Sequence, residues 1–151
     1  MFLKLLIEQL DLGVDPPLVP ATTTMTYAAI SATVSTDTSS AVSSGGGAYI
    51  AAGCRNNIIR IFACDSGQLV LTLVGHDNWI RALLFHPCGR YLVSSSDDCS
   101  VRVWDLSRGG KQVRKLDTDN FVTCLAWSGS RTLPAMASGG LDHAFKIWEL
   151  K

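Results

Sequence analysis

The sequence has no apolar run near the roughly 20 residues that a membrane span requires. Its 13 basic and 13 acidic side chains cancel, so net charge gives no case for binding nucleic acid or an anionic membrane. It also has no CxxC pair and no GxxxxGK[ST] loop, the usual marks of a zinc knuckle and of a phosphate-binding loop. We therefore expect no metal, no cofactor, no nucleic acid, no membrane and no small-molecule substrate.

Cysteines are few and odd in number, five in 151 residues. An odd count does not suggest a disulfide framework, and free, partly buried thiols in a cytosolic protein are the simplest interpretation. The first ten residues resemble a signal peptide in having a lysine and several leucines. Glu8 and Gln9 interrupt that apolar run and no small-residue cleavage site follows, so we predict no signal peptide.

The first third of the chain differs in composition from the rest. Residues 1–20 permit a short amphipathic helix that ends at the proline-rich DPPLVP. Residues 21–47 are nearly half serine and threonine and close on three glycines, a composition typical of a flexible loop or linker. The expectation is therefore a disordered N-terminal segment followed by a folded region at 48–151.

The folded region repeats itself. YIAAGCRNNIIRIF, starting at Tyr49, aligns on YLVSSSDDCSVRVW about 42 residues later and then on AMASGGLDHAFKIW near the end of the chain. Each unit reads as short strands separated by turns such as HPCGR and DDCS. A period of about 40–45 residues with Gly-His and Trp-Asp pairs is typical of WD repeats in a β-propeller.

The predicted fold class is all-β: a partial WD-repeat propeller of about three four-stranded antiparallel blades. The predicted units are 48–74, 75–116 and 117–151. Four strands cannot cover both faces of their own sheet, so the units must stack on one another.

One set of residues is expected to form a buried polar network inside the blades: His76, Ser94, Ser96, Asp98 and Trp104, with Asp142 and Trp148 in the last unit. An indole N–H needs an acceptor, a hydroxyl can relay, and an imidazole can reach the carboxylate of a turn. Ser94 and Ser96 alternate onto one face, and sequence does not choose between them. The first unit has Asn56 and Phe62 at the Asp and Trp positions, and the last has Thr118 at the His position.

The same residues admit a catalytic interpretation. Ser96, His76 and Asp98 would make a hydrolase triad, although no oxyanion motif accompanies them. A metal could be imagined at His86 and Cys88, but the spacing fits no familiar site, and both His86 and His143 are expected on the surface. The preferred prediction is that the protein is not an enzyme.

The stretch TLVGHDNWIRALLFHPCGRYLVSSSDDCSVRVWDL, residues 72–106, resembles the lissencephaly-1 / nuclear-distribution family of dynein regulators. The resemblance extends over about residues 27–151, with TYAAIS to SSGGG matching a variable insertion in a late blade. It implies a seven-bladed propeller of which this chain carries the last three units, either as a fragment, a truncated gene model or one piece of a split protein. It also implies other propeller blades as partners.

The resemblance further implies a partner-binding site. Family members contact the dynein motor domain through a Trp in GHDNW and an Arg in the preceding turn, which correspond to Trp79 and Arg55 here. An exposed Trp beside an Arg has the composition of an interaction hot spot. The implied function is regulation of cytoplasmic dynein at microtubules, in nuclear positioning, cell division and transport, with a location on the cytoskeleton at microtubules, the centrosome or the spindle pole. The alternatives are a WD-repeat scaffold for an unrelated complex and the hydrolase.

Overall fold

A computed structural model of the chain describes residues 5–10, 38–43, 49–128 and 135–150. Within these ranges twelve strands form three four-stranded sheets. The first sheet has the order β2-β3-β4-β5, with β2 at Thr38–Ser43, β3 at Tyr49–Cys54, β4 at Ile58–Ala63 and β5 at Leu69–Val74. This confirms the all-β prediction.

The middle sheet follows the same plan. Its order is β6-β7-β8-β9, with β6 at Ile80–Phe85, β7 at Tyr91–Ser96, β8 at Ser100–Asp105 and β9 at Lys111–Asp117, and a short 3₁₀ turn at Leu106–Arg108 precedes β9. Every residue of β7 and β8 is buried, because neighbouring sheets cover both faces. Neighbouring strands are antiparallel, as short hairpin connections require.

The third sheet has the order β1-β12-β11-β10, with β10 at Val122–Trp127, β11 at Ala135–Gly140, β12 at Phe145–Leu150 and β1 at Leu5–Leu10. The prediction of a short helix in residues 1–20 is thus wrong over Leu5–Leu10. A helix this short is marginal alone, whereas the edge of β12 offers a full row of backbone partners. β1 pairs with it in parallel, from Leu5 opposite Phe145 to Leu10 opposite Leu150.

The predicted flexible segment at 21–47 also contains a strand. β2 lies within it and pairs antiparallel with β3, from Thr38 opposite Cys54 to Ser43 opposite Ile50. Serine and threonine composition favours a loop in isolation, but pairing along β3 and contact with the middle sheet supply a tertiary reason for order. The rest of that prediction, at 21–37 and 44–47, lies outside the described residues.

Two apolar clusters join the sheets. The cluster between the first and middle sheets contains Ile59, Ile61, Leu73, Leu92 and Trp104, and the cluster between the middle and third sheets contains Val93, Val101, Val103, Met136 and Trp148. Both indole rings are about 1% exposed. Trp104 of the middle sheet thus packs against the first sheet, and Trp148 of the third sheet packs against the middle one. This is the stacking of units that the repeat predicts.

The hairpin turn between the second and third strands recurs with one backbone feature. Asn57, Cys99 and His143 occupy matching positions, and all three have positive φ, 67°, 59° and 58°. Left-handed backbone is uncommon for non-glycine residues. These turns, together with the loops that precede β6 and β10, lie at one end of the three sheets, and that end is called the turn face below.

Candidate interaction face

A hydrogen-bonded chain crosses the middle sheet beneath the turn face. Trp104 Nε1 donates to Ser94 Oγ at 2.8 Å, Ser94 Oγ lies 2.7 Å from His76 Nε2, and His76 Nδ1 lies 2.7 Å from Asp98 Oδ2. Because Ser94 already accepts from the indole, its hydroxyl is free to donate to Nε2, which leaves Nδ1–H to donate to Asp98. The structure thus selects Ser94 over Ser96 as the relay.

Ser96 acts on the backbone of the turn face instead. Its hydroxyl donates to the Asn78 carbonyl at 3.0 Å and accepts from Asp98 N–H at 3.1 Å. The hydrolase alternative requires a hydrogen bond between Ser96 and His76, but His76 bonds to Ser94 instead. Ser94 is itself fully buried and holds the indole, so the arrangement ties strand to turn.

Asp98 is the acceptor on which the turn depends. Besides His76 it accepts from Ser100 Oγ at 2.7 Å, Ser100 N–H at 3.0 Å and Asp77 N–H at 3.1 Å. Burial alone would raise the pKa of Asp98, but the hydrogen bonds from His76, Ser100 and Asp77 outweigh it and hold that pKa well below its ordinary value. The carboxylate therefore stays charged and keeps its donors.

Sequence reasoning missed two members of this cluster. Ser100 stands two residues after Asp98, and its hydroxyl also approaches His76 Nδ1 at 3.4 Å. Arg102, 7% exposed, contacts Gln112 Oε1 at 2.8 Å and lies 3.4 Å from both Asp77 and Asp98. The available sequence signal was an arginine inside the apolar strand VRVW, since a charge buried there needs carboxylate or amide partners.

Gly75 is required by this packing. A Cβ at Gly75 would lie 2.9 Å from Arg102 Nη1 and 2.9 Å from a ring carbon of Trp104. Any side chain there would have to displace the guanidinium or the indole. The glycine of the GHDNW stretch is thus explained by the residues below it.

Trp79 stands on the opposite, solvent side of the same loop. Its side chain is 41% exposed, while its backbone carbonyl accepts from Asp97 N–H at 3.0 Å and its N–H donates to Asn78 Oδ1 at 2.8 Å. The next residue, Ile80, is fully buried. The loop is therefore fixed at its backbone and anchored beside the ring, which presents a large aromatic to solvent without burying it.

Two guanidinium groups lie against the Trp79 ring. Arg55 Cζ is 5.2 Å from the ring centroid and comes from the first sheet, whereas Arg81 Cζ is 5.3 Å away and comes from β6. Both distances suit cation–π attraction. The structure thus brings together the two predicted partner-binding residues across the junction of two sheets, even though the turn has Asn56.

Arg81 was not predicted as part of this group. Its Nε donates to Asp97 Oδ1 at 2.8 Å, and its Nη2 pairs with the other carboxylate oxygen. The hydrogen bond to Asp97 raises the pKa of Arg81. Arg81 is therefore held in place by its bidentate partner, whereas Arg55 reaches the ring from an exposed turn.

The third sheet retains only part of the buried network. Trp148 Nε1 donates to Ser138 Oγ at 2.9 Å, as Trp104 does to Ser94. Thr118, at the histidine position, donates to Asn120 O at 2.8 Å within its own loop, and the exposed Asp142 accepts from Ala144 N–H at 3.2 Å within its own turn. A shallow depression lined by Thr118, Ser138 and Asp142 occupies the place of the imidazole.

Three further residues considered in the sequence analysis are Phe62, His86 and His143. Phe62 is half-buried on the face of the first sheet that points away from the middle sheet. The prediction that His86 lies on the surface is wrong, because the residue is half-buried against the third sheet. The centroid of its ring lies 4.8 Å from that of Trp127 and 6.2 Å from that of Tyr91, both edge-on. This burial lowers the pKa of His86. His143 is exposed.

Metal-binding clusters and membrane-spanning helices are both absent from the part of the chain that the structure describes. In the ranges given above, no group of three or more His, Cys, Asp or Glu side chains is placed to hold a metal ion. Over the same ranges, no helix has the length and hydropathy to cross a membrane.

Comparison with known proteins agrees with the repeat pattern. The family model "WD domain, G-beta repeat" matches residues 67–105 and 110–149. Nuclear distribution protein PAC1 of Yarrowia lipolytica is 42% identical over 106 residues, covering 67% of this chain and 24% of the relative. Nuclear distribution protein nudF 1 of Talaromyces marneffei is 50% identical over 84 residues, and nudF of Aspergillus niger is 49% identical over 80 residues, with 54% and 52% of this chain and 18% of each relative covered.

These matches confirm the resemblance to nuclear-distribution proteins that the sequence indicated. The chain spans about a quarter or less of the length of these relatives.

Proposed function

The chain belongs to the WD-repeat family, and from that premise we propose that it is a non-catalytic protein-interaction module that regulates cytoplasmic dynein. Relatives at 42–50% identity carry the name nuclear distribution protein, and that name supports a role in positioning nuclei. The finer roles, in cell division and transport at microtubules, the centrosome or the spindle pole, follow from the same resemblance. The proposed location is cytoplasmic and cytoskeleton-associated.

The observation that carries the proposal is the Arg55–Trp79 pair on the turn face. Tryptophan and arginine are the residues most enriched at interaction hot spots, and here they stack at 5.2 Å with the indole still 41% exposed. Holding both side chains in place before binding reduces the ordering entropy that association must overcome. The proposed partner is the dynein motor domain, contacted through this pair.

The other proposed partners are further propeller blades. The face of the first sheet that points away from the middle sheet carries Ile50, Ile58 and Phe62, none of them fully buried. In the third sheet, Phe145 and Ile147 lie on the face turned away from the middle sheet and are also half-buried. The three sheets of this molecule stack on one another through apolar faces. We therefore propose that the two end faces pack against further blades, which the additional length of the relatives could encode.

The test is capture of the chain, within a protein that carries the rest of the propeller, on immobilised dynein motor domain. The unmodified chain should bind, and Trp79→Ala should weaken binding by about 2 kcal/mol, roughly thirtyfold. Tyr49→Ala is the matched control, since Tyr49 is also 41% exposed but begins β3 at the opposite end of the sheet. Equal binding by all three proteins would contradict the proposed site. Failure of the unmodified chain to bind would favour a WD-repeat scaffold for an unrelated complex.

A further inference from the structure

The hairpin between β6 and β7, at the end of the sheets opposite the turn face, brings a histidine and a cysteine together. Pro87 occupies the second position of its turn, which the fixed φ of proline favours, and Gly89 follows with φ at 73°. Gly89 N–H donates to the His86 carbonyl at 2.8 Å, and His86 N–H donates to the Tyr91 carbonyl at 2.8 Å. The backbone of the turn is thus fixed and places the Cys88 side chain beside the His86 ring.

Cys88 is hydrogen-bonded to His86 at two points. Its sulfur lies 2.8 Å from His86 Nδ1, and its backbone N–H donates to the same nitrogen at 3.1 Å. A backbone N–H can only donate, so Nδ1 carries no proton and the ring is the Nε2–H tautomer. The thiol S–H therefore also donates to Nδ1, which is placed to take up its proton.

The surroundings of the ring keep it neutral and in position. Trp127 and Tyr91 both contact the His86 ring edge-on. Burial lowers the pKa of His86, so the ring stays unprotonated at neutral pH and somewhat below it. Nδ1 is therefore available as a base over the range in which an ordinary thiol holds its proton.

A positive charge also lies near the thiol. Arg90 follows Cys88 by two residues in the same hairpin, and its Nη2 pairs with Asp105 at 2.7 Å. The pKa of Arg90 is raised first by its hydrogen bond to Asp105 and, more weakly, by negative charge on Cys88. Positive charge beside a thiol favours the thiolate, so Arg90 assists the loss of the Cys88 proton.

The other four cysteines lack this arrangement. All five lie within the described residues, and Cys88 alone is hydrogen-bonded to a histidine there. Cys64 and Cys124 are exposed, whereas Cys54 is 5% exposed. The Cys124 thiol donates to the Gly139 carbonyl at 3.7 Å, an acceptor that does not take up a proton at neutral pH. The two exposed thiols are therefore built-in references for the reactivity of Cys88.

We propose that Cys88 is a thiol-modification site, at which His86 acts as general base and a low-molecular-weight disulfide is the co-reactant. The Cys88 proton passes to His86 Nδ1 as the sulfur attacks one sulfur of the disulfide. A new S–S bond to Cys88 forms, the S–S bond of the disulfide breaks, and the leaving thiolate takes the proton from His86. Cys88 is thereby oxidised and the departing half of the disulfide is reduced. The site lies at the opposite end of the sheets from the Arg55–Trp79 pair and is independent of it.

Alkylation of the unmodified chain tests the reactivity of the thiol without any variant. Treatment with iodoacetamide, followed by digestion and mass spectrometry, gives the rate at each cysteine. Cys88 is half-buried, yet at neutral pH it should react faster than the exposed Cys64 and Cys124. The ratio of these rates should rise as pH falls from about 8.5 to about 6.5, because the exposed thiols lose their thiolate while His86 remains neutral. A Cys88 that reacts no faster, or a ratio that does not change with pH, overturns the proposal.

His86→Asn separates proton transfer from structure. Asparagine can accept the same two hydrogen bonds but cannot act as a base. The variant should slow the alkylation of Cys88 by about tenfold or more, while Cys64 and Cys124 keep their rates. Continued protection of the buried Cys54 shows that the variant is folded. Unchanged alkylation of Cys88 in folded His86→Asn would overturn the role of His86.

Oxidised glutathione is the probe for the disulfide step. Incubated with the unmodified chain, it should attach glutathione at Cys88 first, as located by mass spectrometry without reduction, and a reducing agent should release it. Attachment at Cys64 or Cys124 before Cys88 would overturn the proposed site. A Cys88 that alkylates quickly but forms no mixed disulfide would overturn the choice of a disulfide as co-reactant.

Discussion

The middle and third sheets have matching strands and matching turns, yet within the described residues only the middle one has an imidazole that ties its loop to its hairpin. In the middle sheet His76 links Ser94 to Asp98. In the third sheet the indole–serine bond survives between Trp148 and Ser138 at 2.9 Å, and so does the backbone bond from the hairpin to the loop, Leu141 N–H to Phe121 O at 3.1 Å. The third blade thus forms without the imidazole, with backbone pairing, the buried indole and an ion pair between Lys146 and Asp119 in the loop.

What the complete network adds is a fixed loop. In the middle sheet the Asp98 carboxylate accepts from His76 and Asp77 in the loop and from Ser100 in β8, so the stretch that carries Trp79 is tied to both the hairpin and β8. Thr118 in the third sheet bonds within its own loop. Of the two matching aromatic positions, Trp79 and Phe121, the one above the complete network is also the one with a guanidinium stacked on it.

The largest expected effect comes from removing the indole of the middle sheet. Trp104→Ala should destabilise the protein by about 3–5 kcal/mol, because it empties a buried site and leaves Ser94 without its donor. Phe62→Ala, at the matching position of the first sheet, should cost clearly less, since Phe62 is half-buried and is expected to orphan no polar partner. Thermal melts compare the two variants, and equal melting temperatures would mean that the network contributes nothing.

A second variant breaks the comparison at its centre. His76→Ala leaves both Asp98 and Ser94 short of a partner and should destabilise by about 2–3 kcal/mol. Thr118→Ala, at the matching position of the third sheet, should change stability by no more than about 0.5 kcal/mol. Urea unfolding measures both. A similar cost for the two changes would contradict the difference between the sheets.

Acid should weaken the middle sheet through Asp98. Its pKa is held low in the folded state, so unfolding takes up a proton, and the free energy of unfolding falls as the pH drops below about 4, the ordinary pKa of aspartate. Asp105 adds to this loss, because hydrogen bonding to Arg90 lowers its pKa to about 2. Asp98→Asn should flatten the decline of stability with pH without abolishing it. Parallel pH curves for the two proteins would show that Asp98 does not contribute.

The comparison is sharpened by rebuilding the network where it is incomplete. Thr118→His would place an imidazole in the depression between Ser138 and Asp142, and should stabilise the third sheet by about 1 kcal/mol, the typical net gain of a hydrogen bond. The added stability should disappear in Thr118→His combined with Asp142→Ala. If Thr118→His is neutral or destabilising in urea unfolding, the depression does not accept the ring.

The sequence predicted what local patterning controls. Strand alternation and the repeat period located the strands from β3 onward, and the positions of His76, Asp98 and Trp104 anticipated their contacts. Strand alternation places Ser94 and Ser96 on the same face and so does not choose between them. The choice depends on how far along the strand each hydroxyl lies: Ser94 is level with the rings of His76 and Trp104, whereas Ser96 is level with the Asn78 carbonyl in the loop. The pairing of β1 with β12 joins segments far apart in the chain, and no local signal in LLIEQL distinguishes it from a short helix. The contact of Arg81 with the Trp79 ring could not be predicted from the sequence, because the side chain is oriented by its ion pair with Asp97, which follows β7.

The central claim is that a buried network holds the loop while the exposed Arg55–Trp79 pair above it binds the partner. Its most direct test measures unfolding and dynein-motor binding on the same preparation of the Arg55→Ala, Trp79→Ala double variant, within a chain that carries the rest of the propeller. We expect stability within about 0.5 kcal/mol of the unmodified protein, and binding weaker by about 2 kcal/mol or more, roughly thirtyfold. A double variant that melts normally and still binds the motor domain would contradict the claim, and one that unfolds would return Trp79 to the core.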